Sequence, residues 1–144
     1  MEKEKLPEIL NLALTFREIQ LAFRRLASDL SVELPVESFG VLLAVYYNEN
    51  LIQQDIAETL KKDKSAVLRQ IDTLEAKQLV QRIADPQDRR KNIVKITDKG
   101  MSFIKEIIDK QNGLFALLSC GLDSEELEVF SRVVNHLRSM AKAI

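Results

Sequence analysis

The sequence has no tryptophan, one cysteine, one histidine, four glycines and three prolines among its 144 residues. A single cysteine permits no intrachain disulfide and fits a reducing cytoplasm, where Cys120 is expected to be a small buried apolar residue. One histidine and one cysteine leave too few soft ligands for a structural zinc site within one chain. His136 falls on a periodic stretch near the C-terminus and is expected on a helix surface or an interface rather than as a base. Few glycines and prolines disfavour a turn-dense sandwich or barrel and favour helices. Long apolar runs are missing too: the longest, Phe39 to Tyr47, spans nine residues, where about 18 are needed to cross a membrane. The charged opening Met1-Glu2-Lys3-Glu4-Lys5 lacks an apolar h-region, so no secretory signal is expected and the location is read as cytoplasmic. Phosphate-loop, dinucleotide, zinc-protease and serine-hydrolase motifs are all missing. Neither a nucleophile nor a base can be named, and no carboxylates cluster at a metal-binding spacing. The expectation is a chain that is not an enzyme and uses neither cofactor nor metal.

What is present suits one domain over 1–144: 46% hydrophobic and 30% charged residues, with 21 basic against 22 acidic side chains. The net charge of −1 does not announce a partner, but its distribution does. Lys61 to Lys99 holds 11 basic and 6 acidic residues, a balance of +5. The remainder holds 10 and 16, a balance of −6. A basic block inside an acidic body directs a polyanion to one face.

Hydrophobic periodicity gives the order of elements. From Leu6 to Ser31 the apolar positions read as one long helix, apolar on more sides than a single packing face needs. Val36 to about Tyr47 is a short apolar helix, followed by the polar turn Asn48-Glu49-Asn50. Gln53–Leu60 is a helix burying Ile56, Ala57 and Leu60. After a polar link, with Asp63 or Ser65 as N-cap, a helix runs from about Ser65 to Lys77. Its inward stripe is Val67, Ile71 and Leu74, and its outward face is Ser65, Ala66, Arg69 and Thr73. Beyond Leu79 the period falls to two. Val80–Ala84 and Ile93–Thr97 read as strands joined by the basic, turn-rich segment 85–92, a hairpin with a charged tip. Thr97 or Asp98 caps a helix to about Leu118, with apolar positions 101, 104, 107, 108, 114, 115 and 118. A last helix starts at Asp123-Ser124 and carries the stripe Leu127, Phe130, Val133, Val134, Leu137, Met140 and Ala141.

Helix, short turn, helix and hairpin in direct succession form the layout of a winged helix-turn-helix, whose second helix enters the major groove. The candidate DNA contacts on and before that helix are Lys62, Lys64, Ser65, Ala66, Arg69, Gln70 and Thr73. Lys64 and Ser65 stand where helix amides favour a phosphate. Arg69 offers a planar fork for a guanine edge or a phosphate. At the hairpin tip Arg89, Arg90 and Lys91 are cations no core can use, and such arms enter narrow minor grooves. Asp88 beside them is expected to pair with an arginine and hold its rotamer. The blander account, a solvated helix face and a solvated charge run, stays open.

The run Asp88-Arg89-Arg90-Lys91-Asn92-Ile93-Val94-Lys95-Ile96-Thr97-Asp98-Lys99-Gly100 resembles the D-x-R-x-x-x-x-x-L-T-x-x-G signature of MarR-type transcriptional regulators, with Ile96 in place of leucine. Gln54–Leu60 and Lys64–Arg69 are similar to that family's helix-turn-helix sequences, and the helix order agrees over nearly the whole chain. Two positions depart from it. Ile52 stands where a capping threonine is common, and Gln78 where a glycine usually follows the recognition helix. The resemblance implies a mainly α fold with a small β-hairpin. It places a winged helix-turn-helix DNA-binding region over 36–100, with dimerisation helices over 6–31 and 101–144. It further implies a homodimer on a pseudo-palindromic double-stranded DNA operator, and repression released by a small aromatic or phenolic effector. Phe16, Arg17, Phe23, Tyr46 and Tyr47 are candidates for lining the effector pocket, with Arg17 pairing a carboxylate; an aromatic core is the plainer alternative. The rival function is a protein-interaction module that uses the winged helix only as a scaffold for dimerisation.

Overall fold

The computed structural model describes residues 7–144, so Leu6 and the five residues before it lie outside the described part. Its elements are α1 (Glu8–Leu26), α2 (Val36–Tyr47), α3 (Gln53–Leu60), α4 (Lys64–Ala76), β1 (Val80–Ala84), β2 (Asn92–Ile96), α5 (Asp98–Leu118) and α6 (Ser124–Ala143). The chain divides into two compact units. One is Arg24–Asp109; the other joins the chain up to Phe23 with Lys110–Ile144. The expected first helix is shorter than its apolar pattern. It stops at Leu26, where the Ser28 hydroxyl donates to the Arg25 carbonyl and Leu30 N–H returns to Ala27.

The Arg24–Asp109 unit is built on Val41, Leu42, Val45, Ile56, Val67, Ile71, Leu74, Leu79, Val80, Val94, Phe103 and Ile104, all buried. Phe103, missing from the stripe read from the sequence although it shares the face of Ile107, is the largest fully buried side chain. Leu60, expected inside, is half-buried.

The turn between α3 and α4 follows from how α3 ends. Lys61 takes a left-handed backbone (φ 50°), its N–H returns to Glu58, and Lys62 N–H reaches Ala57 at 2.9 Å. This six-to-one closure stops a helix and redirects the chain. Asp63 then opens α4 two residues later. The same closure ends α4: Gln78 is left-handed (φ 61°), its N–H bonds Glu75, and Leu79 N–H bonds Leu74 at 2.9 Å. Leu74 and Leu79 are both fully buried, the apolar contact that accompanies this motif. The departure at Gln78 therefore does sit on the left-handed position, at a conformational cost that glycine would avoid.

β1 and β2 pair antiparallel with Val80 opposite Ile96 and Ile83 opposite Ile93. The segment before α3 adds to this sheet: Ile52 bridges Ile93, and Val94 N–H donates to the Leu51 carbonyl at 2.8 Å. Ile52 thus replaces a capping hydroxyl with sheet pairing, and Asp55 Oδ2 accepts the Ile52 N–H at 3.0 Å instead.

A second joint ties α4 to α5. The Thr97 hydroxyl donates to the Gln78 carbonyl at 2.6 Å and accepts the Gly100 N–H at 3.0 Å, while Thr97 N–H donates to Leu79 O at 3.1 Å. Lys99 Nζ donates to the Lys77 carbonyl at 2.9 Å. The Thr-x-x-Gly signature is thus a helix cap and a clasp on the end of α4 at once.

In the other unit the helices are poorly covered. Among the described residues of α1 and α6 none is buried. Cys120, expected inside, is exposed on the turn after α5, because the two helices meeting there leave their apolar faces open. His136 is exposed on α6, as its place in the stripe implied. Asp123 caps α6 through Glu126 N–H, and Glu126 returns the bond to Asp123 N–H, both at 2.9 Å.

Candidate nucleic-acid interface

The recognition helix α4 presents its buried stripe to α2 and α3 and leaves Lys64, Ser65 and Arg69 exposed, with Ala66 and Thr73 half-exposed. The helix start itself is occupied. Asp63 is the N-cap, accepting Ser65 N–H at 2.9 Å and Ala66 N–H at 3.1 Å, and the Ser65 hydroxyl also donates to it. The amides expected to hold a phosphate are therefore satisfied by a carboxylate. Anion attraction there is left to the side chains of Lys64 and Arg69. The Ser65 hydroxyl, followed by the Ala66 and Ser65 amides, holds the Asp63 carboxyl below its ordinary value.

A group with a depressed folded pKa stabilises the protein above its unfolded pKa, and the contribution fades as pH falls through the lower folded value. Asp63→Ala is therefore expected to melt earlier at neutral pH. The gap should narrow below about pH 4, the unperturbed aspartate range, in thermal melts followed by circular dichroism. A gap independent of pH would show that the cap works without its charge.

Lys62 and Gln70 face elsewhere. Lys62 Nζ donates to the Glu37 carbonyl at 3.3 Å and to Gln70 Oε1 at 3.4 Å, so this pair ties α4 back to α2. The Thr73 hydroxyl donates to the Arg69 carbonyl one turn back.

At the wing, nested turns hold the tip. Asp85 N–H donates to Lys91 O, Gln87 N–H to Asp85 Oδ1 and Lys91 N–H to Asp88 O. Asp88 Oδ1 accepts both Arg90 N–H at 3.1 Å and Arg90 Nε at 3.2 Å, the pairing expected from the sequence. The Arg90 backbone bond, then its side chain, keep the Asp88 carboxyl below its usual range. Arg90 still leaves 91% of its side chain exposed, so Nε is held while the outer nitrogens project. Arg89 and Lys91 are exposed beside it.

The sequence reading missed the residue joining wing and recognition helix. Arg82, on β1, sends Nη2 to Asp72 and Nη1 to Glu75, and its own N–H donates to Glu75 Oε1 at 3.0 Å. Burial opposes its charge, but the bonds to Asp72 and Glu75 prevail and raise its pKa above the ordinary arginine value. The available signal was a pair of carboxylates three apart on α4, followed by a lone arginine on the first strand of the wing. Arg82 also lines a cleft of about 310 Å³ with Gln53, Gln54, Lys64, Arg90 and Lys91. Four cations and no acid line that cleft; with Arg82 already paired to Asp72 and Glu75, Lys64, Arg90 and Lys91 are left to meet a phosphate backbone.

Of the residues proposed for an effector, Phe16 and Arg17 are exposed and Phe23 half-buried on α1. Tyr46 is half-buried and Tyr47 exposed on α2, their rings edge-to-face at 4.9 Å. The α1 group and the tyrosines belong to different units. Among the described residues no cluster of His, Cys, Asp or Glu could hold a metal, and no helix is long and apolar enough to cross a membrane.

Comparison with known proteins agrees with this geometry. Residues 34–91 match the model of the MarR family. The chain is 25% identical over 104 residues to the HTH-type transcriptional regulator YdgJ of Bacillus subtilis (strain 168), an alignment covering 69% of this chain and 63% of that protein. It is 27% identical over 127 residues to the HTH-type transcriptional regulator YybA of the same organism, covering 85% of each. The structure of a mutant S. aureus MepR bound to an oligodeoxyribonucleotide superposes with a TM-score of 0.68 at 21% identity, covering 95% of this chain and 99% of that one. The family match spans α2 through the wing tip, the part of the chain that holds every cationic group described above except Lys99 and Arg17. Over residues 34–91, with its helices and single wing in agreement, the chain is similar to the MarR family of winged helix-turn-helix regulators.

Proposed function

We propose that the protein is a sequence-specific double-stranded-DNA-binding transcriptional regulator that acts as a homodimer on a pseudo-palindromic operator. One observation carries the reading: exposed Lys64 on α4 and Arg90 and Lys91 on the wing line one cation-rich cleft, and exposed Arg69 and Arg89 belong to the same compact unit. A scaffold used only for dimerisation has no need of that charge. Pairing of two chains is supported by α1 and α6, whose Phe16, Phe130, Leu137 and Met140 are all roughly half exposed. Burying such side chains stabilises by about 25 cal/mol per Å². In the dimer each α4 addresses a half-site, with centres about 34–36 Å apart. The regulator is read as a repressor, released when it binds a small aromatic or phenolic acid.

The test is selection of bound duplexes from a random pool at stated salt, with the particle size measured in dilute solution. The expected result is a palindrome with that spacing and a dimeric particle. No enrichment, or a stable monomer, would overturn the reading. Arg69→Ala should change the base preference at one position in each half-site, measured on single-substitution operators. An equal loss on all duplexes would assign Arg69 to a phosphate instead.

A further inference from the structure

The recognition helix carries a liability on its outward face. Stepping along α4 at 3.6 residues per turn puts Asp72 within about 20° of Ser65 and about 60° of Arg69. A carboxylate is therefore aimed where phosphates would come, and Glu75 flanks it. Neither is neutralised from within α4. Their cation comes from the next element: Arg82, on the first strand of the wing, holds Asp72 with one terminal nitrogen and Glu75 with the other. The backbone N–H of Arg82 bonds Glu75 as well, so strand and helix are joined at three points. The Arg82 side chain keeps only 23% of its surface exposed, against 56% for Asp72 and 39% for Glu75, so the guanidinium lies behind the carboxylates rather than in front of them.

We infer that Arg82 is a positioning residue for DNA binding: it masks the negative charge of Asp72 and Glu75 on the groove-facing helix and fixes the wing against that helix. This rests on the DNA-binding reading above. Arg82 touches no base and acts only through the two carboxylates. The same bonds keep Asp72 from accepting a cytosine amino proton, which an unpaired carboxylate in the major groove would do.

The experiment is a double-mutant cycle on the full chain with the selected duplex. Arg82→Gln should bind about tenfold more weakly, the scale of coupling between contacting charges. Adding Asp72→Asn and Glu75→Gln to it should restore most of that loss, because nothing is left to mask. If Arg82 instead touched the duplex, the triple variant would stay as weak as Arg82→Gln, and the inference would be overturned. A DNA-independent arm reads the clamp in the free protein by nitrogen-15 NMR of the guanidinium. Separate Nη1 and Nη2 resonances are expected in the wild type, merging by rotation in Asp72→Asn/Glu75→Gln. Merged resonances in the wild type would overturn the clamp even if Arg82→Gln failed to fold. A wild type that binds no duplex while its Nη resonances stay separate would overturn the DNA reading and the masking role with it. The clamp would then survive as a purely structural joint, so the two failures are distinguishable.

Discussion

Arg90→Ala is expected to weaken binding to every duplex, specific or not, by about tenfold or more at low salt. It should also lower the slope of log affinity against log salt by about two for a dimer. The slope follows from counterion release, close to 0.9 for each phosphate neutralised on B-form DNA, with one Arg90 in each half-site. The geometry makes this residue the wing's strongest contributor. Asp88 anchors Nε and the backbone N–H of Arg90, while the rest of the side chain stands in solvent. A surface ion pair of this kind adds little stability. Its effect is to remove rotamers, so less entropy is lost when the guanidinium enters a groove. Arg90→Lys should recover the salt slope but not the full affinity, because an ammonium keeps the charge and loses the planar fork that Asp88 holds. Titrations at several salt concentrations check both statements. A slope unchanged in Arg90→Ala would remove the wing from the interface.

Gly100→Ala is expected to destabilise the Arg24–Asp109 unit by about 1–3 kcal/mol, the range for overpacking a closed site. A Cβ at residue 100 would lie 2.1 Å from the Leu79 carbonyl oxygen and 2.7 Å from Ile96 Cγ1. That carbonyl cannot retreat easily, since it accepts Thr97 N–H and the Thr97 hydroxyl, both at 3.1 Å, at the end of α4. Alanine's better helix propensity recovers up to about 1 kcal/mol but leaves the clash. The melting temperature should fall on the order of 5–10 °C. Gly40→Ala is the control: nothing lies within 4 Å of its Cβ, so this helix glycine should tolerate or gain from the change. Calorimetry on both variants decides it, and equal behaviour would show that the clasp between α4 and α5 yields.

Much of this architecture was legible because its signals are local. The α2 and α3 bounds and β1 follow from periodicity and from where a helix must stop. The Asp88–Arg90 pair was equally readable, since both partners sit in one turn. Errors fell where a local signal competes with a distant one. Phe103, left out of the stripe read for α5, lies one turn before Ile107 and fills the core. Asp63, one of the two cap candidates, does cap α4 and so takes amides that the sequence also offered to a phosphate. Lys62 and Gln70, basic and polar beside the recognition helix, spend their bonds on each other and on α2.

By itself the sequence determined the order of helices, the wing and its cations, because hydrophobic period, turn residues and charge placement act over a few neighbouring residues. Only the tertiary structure decided which charges remain available. Arg82 meets Asp72 and Glu75 across a tight reversal of the chain, and the Thr97 hydroxyl reaches the Gln78 carbonyl 19 residues away. Such pairings depend on where packing brings two elements together, and Coulomb and hydrogen-bond energies are set by that distance, not by separation along the chain.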